Sequence, residues 1–141
     1  MYESRDVNPF VSQKTTLQEL SWRTLEEIVA ELLRARGMQI HVTAKSHDDG
    51  RDIIARGELI SGEPAVIAVE VKQKPIVGLA DVQRAVKANE DFPSLMIATS
   101  GRFTSGVIRE KTQSRHELRL FLKDGVALSQ WVDTYMKAQA C

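Results

Sequence analysis

The amino-acid sequence predicts an α/β fold in which helices flank one mixed β-sheet, a three-layer sandwich with the element order αβββαβαβα. An amphipathic helical pattern opens this order, three strand-like segments follow it, and helical and strand patterns then alternate. The 141 residues, of which 43% are hydrophobic, can bury one core and are too few for two ordinary domains. We therefore expect one domain over residues 15–141, preceded by a flexible arm over residues 1–14.

The first helix is predicted over the segment SWRTLEEIVAELLRARG. Ser21 is a suitable N-cap, apolar residues recur at helical spacing, and Gly37 is typical of a helix end. Glu26 lies at the edge of the apolar stripe, whereas the adjacent Glu27 lies on the polar side. We therefore expect Glu26 to point toward the sheet and Glu27 toward solvent.

The next three segments carry strand patterns. Residues 38–44 (MQIHVTA) alternate in polarity, the turn residues HDDG follow, and RDIIAR at 51–56 returns, which predicts a hairpin. Residues 65–74 (AVIAVEVKQK) form a nearly continuous apolar run, which is typical of a strand buried on both faces. The remaining elements are predicted as helix, strand, helix, strand and helix over residues 79–91, 93–100, 104–117, 118–125 and 127–138.

A charged pair interrupts the apolar strand. Glu70 and Lys72 are two positions apart and so leave the strand on one face, which they share with the apolar Ala68. Ionised groups inside a sheet are costly unless they are paired or hold a metal. A Glu–Lys pair on a solvated face is the alternative, but the apolar flanks favour a functional site.

A second carboxylate begins the preceding strand. Asp52 directly follows the HDDG turn, and it would converge with Glu70 if the two strands are neighbours. Two carboxylate oxygens with open positions beside them suit a hydrated Mg²⁺ ion. Together with the Lys72 ammonium, they outline a hydrolytic site.

These residues resemble a known motif. Glu26 in a helix, then DDGRDIIA, then VEVKQ, is similar to the PD-(D/E)XK nuclease superfamily, in particular to the catalytic domain of Mrr-like restriction endonucleases. The likeness runs from Trp22 to Val132, with IATSGRFTSGVIREK and LFLKDGVALSQWV as later parts. It implies a restriction-endonuclease-like fold and a Mg²⁺-dependent DNA endonuclease, with Mn²⁺ able to substitute.

The resemblance also assigns roles. It gives the catalytic set as Glu26, Asp52, Glu70 and Lys72. Asp52 and Glu70 would hold the metal with the Val71 carbonyl, and Lys72 would orient the attacking water or stabilise the transition state. Glu26 would contact the site from outside the ligands, and the resemblance implies 5′-phosphate and 3′-hydroxyl products.

A supporting residue follows on the same strand. Gln73 points to the face opposite Glu70, so it would at most position the strand.

The region expected to meet DNA is basic. Between Arg102 and Lys123, six basic residues stand against two acidic ones, a local net charge of +4, whereas the whole chain is neutral with 19 of each. The turn TSGRFTSG could present backbone N–H groups to a phosphate, and it is equally what a strand-to-helix turn looks like. A solvated helix face is likewise an alternative for the charges. The candidate DNA contacts are Arg102, Thr104, Arg109, Lys111 and Arg115.

The sequence also indicates setting and partners. The single cysteine, Cys141, cannot close an internal disulfide, and no signal peptide or membrane span is evident, which predicts a soluble cytoplasmic protein without a membrane partner. No element is left over to read bases, so a separate specificity subunit is a further partner that the resemblance allows. Because cutting two strands calls for two active sites, we expect a homodimer acting on DNA.

Three functions remain open at this point. The leading one is an Mrr-like endonuclease in restriction, defence or mobile-element processing. A Holliday-junction resolvase shares the fold, the size and the order of the acidic and lysine residues. A non-catalytic DNA-binding or assembly subunit would keep the fold without the reaction.

Overall fold

A computed structural model describes residues 16–44, 51–113 and 119–140. Its elements are a 3₁₀ helix Leu17–Glu19, α1 Trp22–Ala35, β1 Gln39–Ala44, β2 Arg51–Glu58, β3 Pro64–Lys72, β4 Ile76–Val77, α2 Leu79–Ala88, β5 Ser94–Thr99, β6 Arg102–Phe103, α3 Ser105–Gln113, β7 Leu120–Lys123 and α4 Gly125–Ala140. The predicted order αβββαβαβα is confirmed, and the 3₁₀ helix, β4 and β6 add to it. The arm expected at residues 1–14 lies outside the described residues.

The main sheet is mixed and has β3 at its centre. Its strand order is β1-β2-β3-β5-β7; β2 runs antiparallel to both of its neighbours, β1 and β3, whereas β3, β5 and β7 are parallel. The predicted hairpin of the first two strands is therefore confirmed. Beyond the carboxyl ends of β3 and β5, the two-residue strands β4 and β6 pair in parallel and form a small ribbon.

Helices cover both faces of the sheet. On one face, Val69 and Val71 of β3 pack with α1 and α4 in one apolar cluster. On the other face, Ala68 of β3 packs with α2 and α3 in a second cluster. Successive strand residues alternate between faces, so Glu70 and Lys72 share the α2–α3 face with Ala68.

The first helix begins and ends as its sequence predicts. The Ser21 hydroxyl accepts a hydrogen bond from the Thr24 N–H at 3.1 Å, and Gly37 ends the helix with a φ of +90°. Glu26 is buried, with 3% of its surface exposed, and Glu27 is exposed. The predicted orientation of these two adjacent glutamates is confirmed.

The predicted ends of later elements shift by a few residues. The helix predicted to reach residue 91 ends at Ala88, and Asn89 is its C-cap. The Asn89 N–H makes the last helical bond, to the Ala85 carbonyl at 3.1 Å, and the Asn89 side-chain amide donates to the same carbonyl at 2.8 Å. The last helix begins earlier than predicted, at Gly125, since the Asp124 carboxylate caps it through the Ala127 N–H at 2.9 Å. In the three described ranges, no helix has the length and apolar character needed to cross a membrane.

Candidate active site at the end of β3

Glu70 and Lys72 lie among the last residues of the central strand, and both are half-buried. Their backbone partners on β5 are Ile97 and Thr99, which are both fully buried. The pair therefore has buried residues of β5 on one side and lies at the carboxyl edge of the parallel strands. In open α/β sheets, ligands commonly bind outside this edge.

The backbone of Asp52 reaches the same place from β2. Thr43 of β1 faces it, and the antiparallel register pairs the next residue, Ile53, with Val69 of β3. One step further along this register, the backbone at Asp52 adjoins that at Glu70. The strands are thus neighbours as predicted, while the Asp52 side chain lies outside what the structure describes, so its convergence with Glu70 stays a prediction.

Glu26 approaches from the opposite layer. It lies on α1, which packs against the face carrying Val69 and Val71, whereas Glu70 and Lys72 share the other face. A hydrogen bond from Trp22 Nε1 to the Val71 carbonyl, at 2.9 Å, places the first turn of α1 at the end of β3. Glu26 follows one turn later. Helix α1 therefore brings Glu26 to the same end of the sheet, from the layer opposite the face of Glu70 and Lys72.

The Val71 carbonyl already has one donor. The indole N–H of Trp22 occupies one of its two acceptor positions. A metal would have to use the second position, so Val71 as a ligand stays a prediction. Sequence spacing does not indicate this bond, since a side-chain bond to a distant carbonyl leaves no periodic signal.

The Gln73 side chain, just after β3, forms hydrogen bonds with the segment that precedes α1. Its Nε2 donates to the carbonyls of Leu17 and Leu20 at 2.9 and 2.6 Å. Its Oε1 accepts a hydrogen bond from the Ser100 hydroxyl. Leu17 and Leu20 pack on the α1 side, so Gln73 works on the face opposite Glu70. This geometry fits a positioning role.

The loops after β3, β5 and β7 pack backbone against backbone. A Cβ at Gly101 would collide with the carbonyls of Lys74 and Pro75, and a Cβ at Gly125 would collide with that of Ser100. The Gly125 N–H donates to the Gly101 carbonyl at 2.8 Å. These contacts form a close-packed rim beside Lys72, and the turn TSGRFTSG predicted from the sequence is part of it.

The predicted DNA contacts separate in space. Arg102 is exposed on β6, and the Thr104 hydroxyl accepts from the Val107 N–H at 3.4 Å, so Thr104 caps α3. Arg109 is exposed, whereas Lys111, two residues later on the helix, lines a groove between α2 and α3. Arg115 lies outside the described residues.

Two other basic residues of the segment have structural partners. Arg119 Nη2 donates to the Asn89 and Phe92 carbonyls at 3.2 and 2.7 Å. The Lys123 ammonium lies 5.7 Å from the centre of the Trp131 ring. The local charge of +4 is therefore not one continuous surface.

Within residues 16–44, 51–113 and 119–140, no group of three or more acidic, histidine or cysteine side chains could hold a metal ion. Such a group is not required for Mg²⁺. This ion is usually bound through one or two carboxylates, and waters and substrate phosphates complete its shell. The chemistry of Glu70 beside the backbone position of Asp52 fits that type of site.

Comparison with known proteins gives related chains. A family model, Mrr_cat, described as "Restriction endonuclease", matches residues 17–132. The protein y4cE of Sinorhizobium fredii, itself uncharacterised, is 30% identical over 131 residues, which cover 88% of this chain and 32% of that protein. This chain thus spans about a third of the length of that relative.

Two solved structures share the fold. The DNA modification-dependent restriction endonuclease AspBHI matches with a TM-score of 0.58 at 18% identity, over 80% of this chain and 34% of that one. The MspJI restriction endonuclease in complex with a 27-mer oligonucleotide matches with a TM-score of 0.54 at 18% identity, over 74% and 25%. At this identity the likeness shows the fold alone.

Proposed function

The chain belongs to the Mrr_cat family of restriction endonucleases and has a restriction-endonuclease-like fold, and on this premise we propose that it is a metal-dependent DNA endonuclease. It would hydrolyse phosphodiester bonds in restriction, defence or mobile-element processing. The observation that carries this proposal is the pairing of β2 with β3, which sets the backbone of Asp52 beside Glu70 while Lys72 shares the face of Glu70.

Asp52 and Glu70 would hold a Mg²⁺ ion, for which Mn²⁺ could substitute, with the Val71 carbonyl as a further ligand. The bound ion would lower the pKa of a water and polarise the scissile phosphate. Lys72, half-buried on the same face, would hold the attacking water or meet the charge that develops on the phosphate. Glu26 would act on this site from the α1 layer.

The proposed substrate and partners follow from the same family. DNA is the substrate, supported by the oligonucleotide bound in the MspJI structure. Phosphate contacts are proposed for Arg102, Thr104, Arg109, Lys111 and Arg115. A homodimer would supply the two active sites that a double-strand break needs. A separate specificity subunit remains a partner to look for.

The proposal is tested by offering several substrates to the purified protein. Supercoiled plasmid, linear duplex and a synthetic four-way junction are incubated side by side with Mg²⁺, Mn²⁺ or EDTA. We expect cleavage of plasmid and duplex with either metal and none with EDTA. Selective cutting of the junction would instead favour a resolvase. Binding without cleavage under all metal conditions would favour a non-catalytic subunit.

A further inference from the structure

Two cations share one carboxylate where α2 begins. Lys74 Nζ lies 2.9 Å from Asp81 Oδ2, and Arg84 Nη2 lies 2.8 Å from Asp81 Oδ1. The Asp81 side chain is 14% exposed, while those of Lys74 and Arg84 are 46% and 72% exposed. One carboxylate neutralises one of the two cations, so the group keeps a net positive charge that faces solvent.

A third cation lies on the neighbouring ribbon. In the β4–β6 ribbon, Val77 pairs with Phe103, and both are buried. Ile76 pairs with Arg102, and both are exposed. The Arg102 N–H donates to the Pro75 carbonyl at 3.0 Å, directly after Lys74 in the chain. The ribbon thus begins beside Lys74, the first of the two cations.

This surface borders the candidate active site. Lys74 comes two residues after Lys72, and its carbonyl accepts a hydrogen bond from the hydroxyl of Thr99, the β5 partner of Lys72, at 3.3 Å. Helix α2, which carries Arg84, packs on the same sheet face as Glu70 and Lys72. A chain of phosphates that enters the site can therefore continue onto these cations.

Helix stability alone does not require this arrangement. Asp81 satisfies the Gly78 N–H at 3.1 Å and has an ion pair with Lys74. A second, largely exposed cation on the same carboxylate adds little to folding stability. A fixed array of exposed cations beside a site for phosphodiesters does match the repeating charge of a nucleic-acid backbone.

We propose that Lys74, Arg84 and Arg102 form a surface that binds the DNA phosphates next to the scissile one. This inference rests on the proposed function, and it adds Lys74 and Arg84 to the contacts expected from the sequence. Asp81 has the positioning role in this surface, because it holds Lys74 and Arg84 side by side. The contacts are to phosphates, so they contribute affinity and register rather than sequence preference.

The test is binding of a fluorescently labelled duplex, measured by anisotropy at several salt concentrations with EDTA present to prevent cleavage. The variants are Lys74→Gln, Arg84→Gln and the double variant. Arg34→Gln is the matched control, because Arg34 also pairs with an acidic residue three positions earlier, Glu31 at 3.9 Å, but on α1. Thermal melting of each variant verifies folding.

Each lost phosphate contact should reduce the slope of log Kd against log salt by about 0.9 and weaken binding about fivefold near 0.15 M salt. The double variant should show about twice the change in slope, and Arg34→Gln none. If the double variant loses stability, Arg84→Gln alone carries the test, since its side chain is largely exposed.

If the folded double variant still cuts DNA and its slope of log Kd against log salt is unchanged, the proposed phosphate-binding surface is wrong, while the proposed function stands. Equal losses in Arg34→Gln would also overturn it. A wild-type chain that neither binds nor cuts DNA would overturn both this surface and the proposed function.

Discussion

At the scale of single residues, the most informative side chain is the buried Glu26. It is 3% exposed, and its helix, α1, covers the sheet face opposite the one that carries Glu70 and Lys72. A helical wheel reports that a side chain points inward, but it does not report which face of the sheet the helix covers. The inward orientation could therefore be predicted from the sequence, and the layer could not.

Glu26→Gln should lower the cleavage rate or the apparent affinity for Mg²⁺, because the amide keeps the shape and removes the charge. Glu27→Gln, its exposed neighbour, is the matched control and should change stability by only about 0.2–0.5 kcal/mol. Both effects are measured by cleavage at varied Mg²⁺ and by thermal melting. Equal losses in the two variants would contradict the role of Glu26.

Asp81 gives a prediction in pH. The hydrogen bond from Lys74, with further help from the Gly78 N–H and Arg84, holds the Asp81 pKa below its ordinary value of 3.8 despite partial burial. Because the folded pKa is the lower one, this carboxylate stabilises the fold above the unfolded value, and the effect is lost as the pH falls through the folded pKa.

Asp81→Asn should therefore lower the free energy of unfolding by about 1 kcal/mol at pH 7, because the ion pairs are lost and the hydrogen bond from the Gly78 N–H no longer has a charged acceptor. The difference from wild type should shrink as the pH falls below 3.8. Urea unfolding from about pH 7 down to about pH 2 measures it. A difference that stays constant over this range would contradict the assignment.

At the scale of elements, the rim beside Lys72 depends on close backbone packing. Gly101 lies against the carbonyls of Lys74 and Pro75, and no side chain fits between them. Gly101→Ala should therefore destabilise the protein by about 1–3 kcal/mol, as overpacking does.

The control for this substitution is Gly106→Ala. Gly106 lies in α3, and a Cβ added there would have Thr104 Oγ1 as its nearest neighbour, at 3.8 Å. Alanine there should raise helix stability by about 0.5–1 kcal/mol. Thermal melting compares the two variants, and a Gly101→Ala protein as stable as wild type would show that the rim can relax.

The sequence predicted long elements better than short ones. The helix from Trp22 and the hairpin carry periodic patterns, the central strand is a long apolar run, and all three elements are confirmed. Strands β4 and β6 have only two residues each, too few for any period. The bonds of Gln73 to Leu17 and Leu20 join distant parts of the chain, and no local spacing indicates them.

At the candidate site, the sequence predicted which strands are neighbours. Glu70 and Lys72 stand out because charge interrupts an apolar strand, and the pairing of β2 with β3 agrees with the expected approach of Asp52. The sequence did not predict that the basic residues between Arg102 and Lys123 lie on separate surfaces. Local charge counts do not show that Arg119 bonds to loop carbonyls and that Lys123 lies over Trp131.

At the scale of the whole molecule, we predict cooperation between two chains. One active site cuts one strand, so a double-strand break requires a homodimer or two successive cuts. Linear product from supercoiled plasmid should rise more steeply than in proportion to protein concentration, and sedimentation should show a dimer at the active concentrations. Double-strand breaks by a strictly monomeric protein would contradict this prediction.

Asp52, Glu70 and Lys72 are proposed, above all, to form a metal-dependent catalytic site. Single-turnover cleavage of supercoiled plasmid in Mg²⁺ by wild type and by Lys72→Ala tests this most directly, with Lys87→Ala as an exposed control on α2. We predict that folded Lys72→Ala cuts at least about 100-fold more slowly, while Lys87→Ala cuts like wild type. Undiminished cleavage by Lys72→Ala, or cleavage that persists in EDTA, would contradict the proposal.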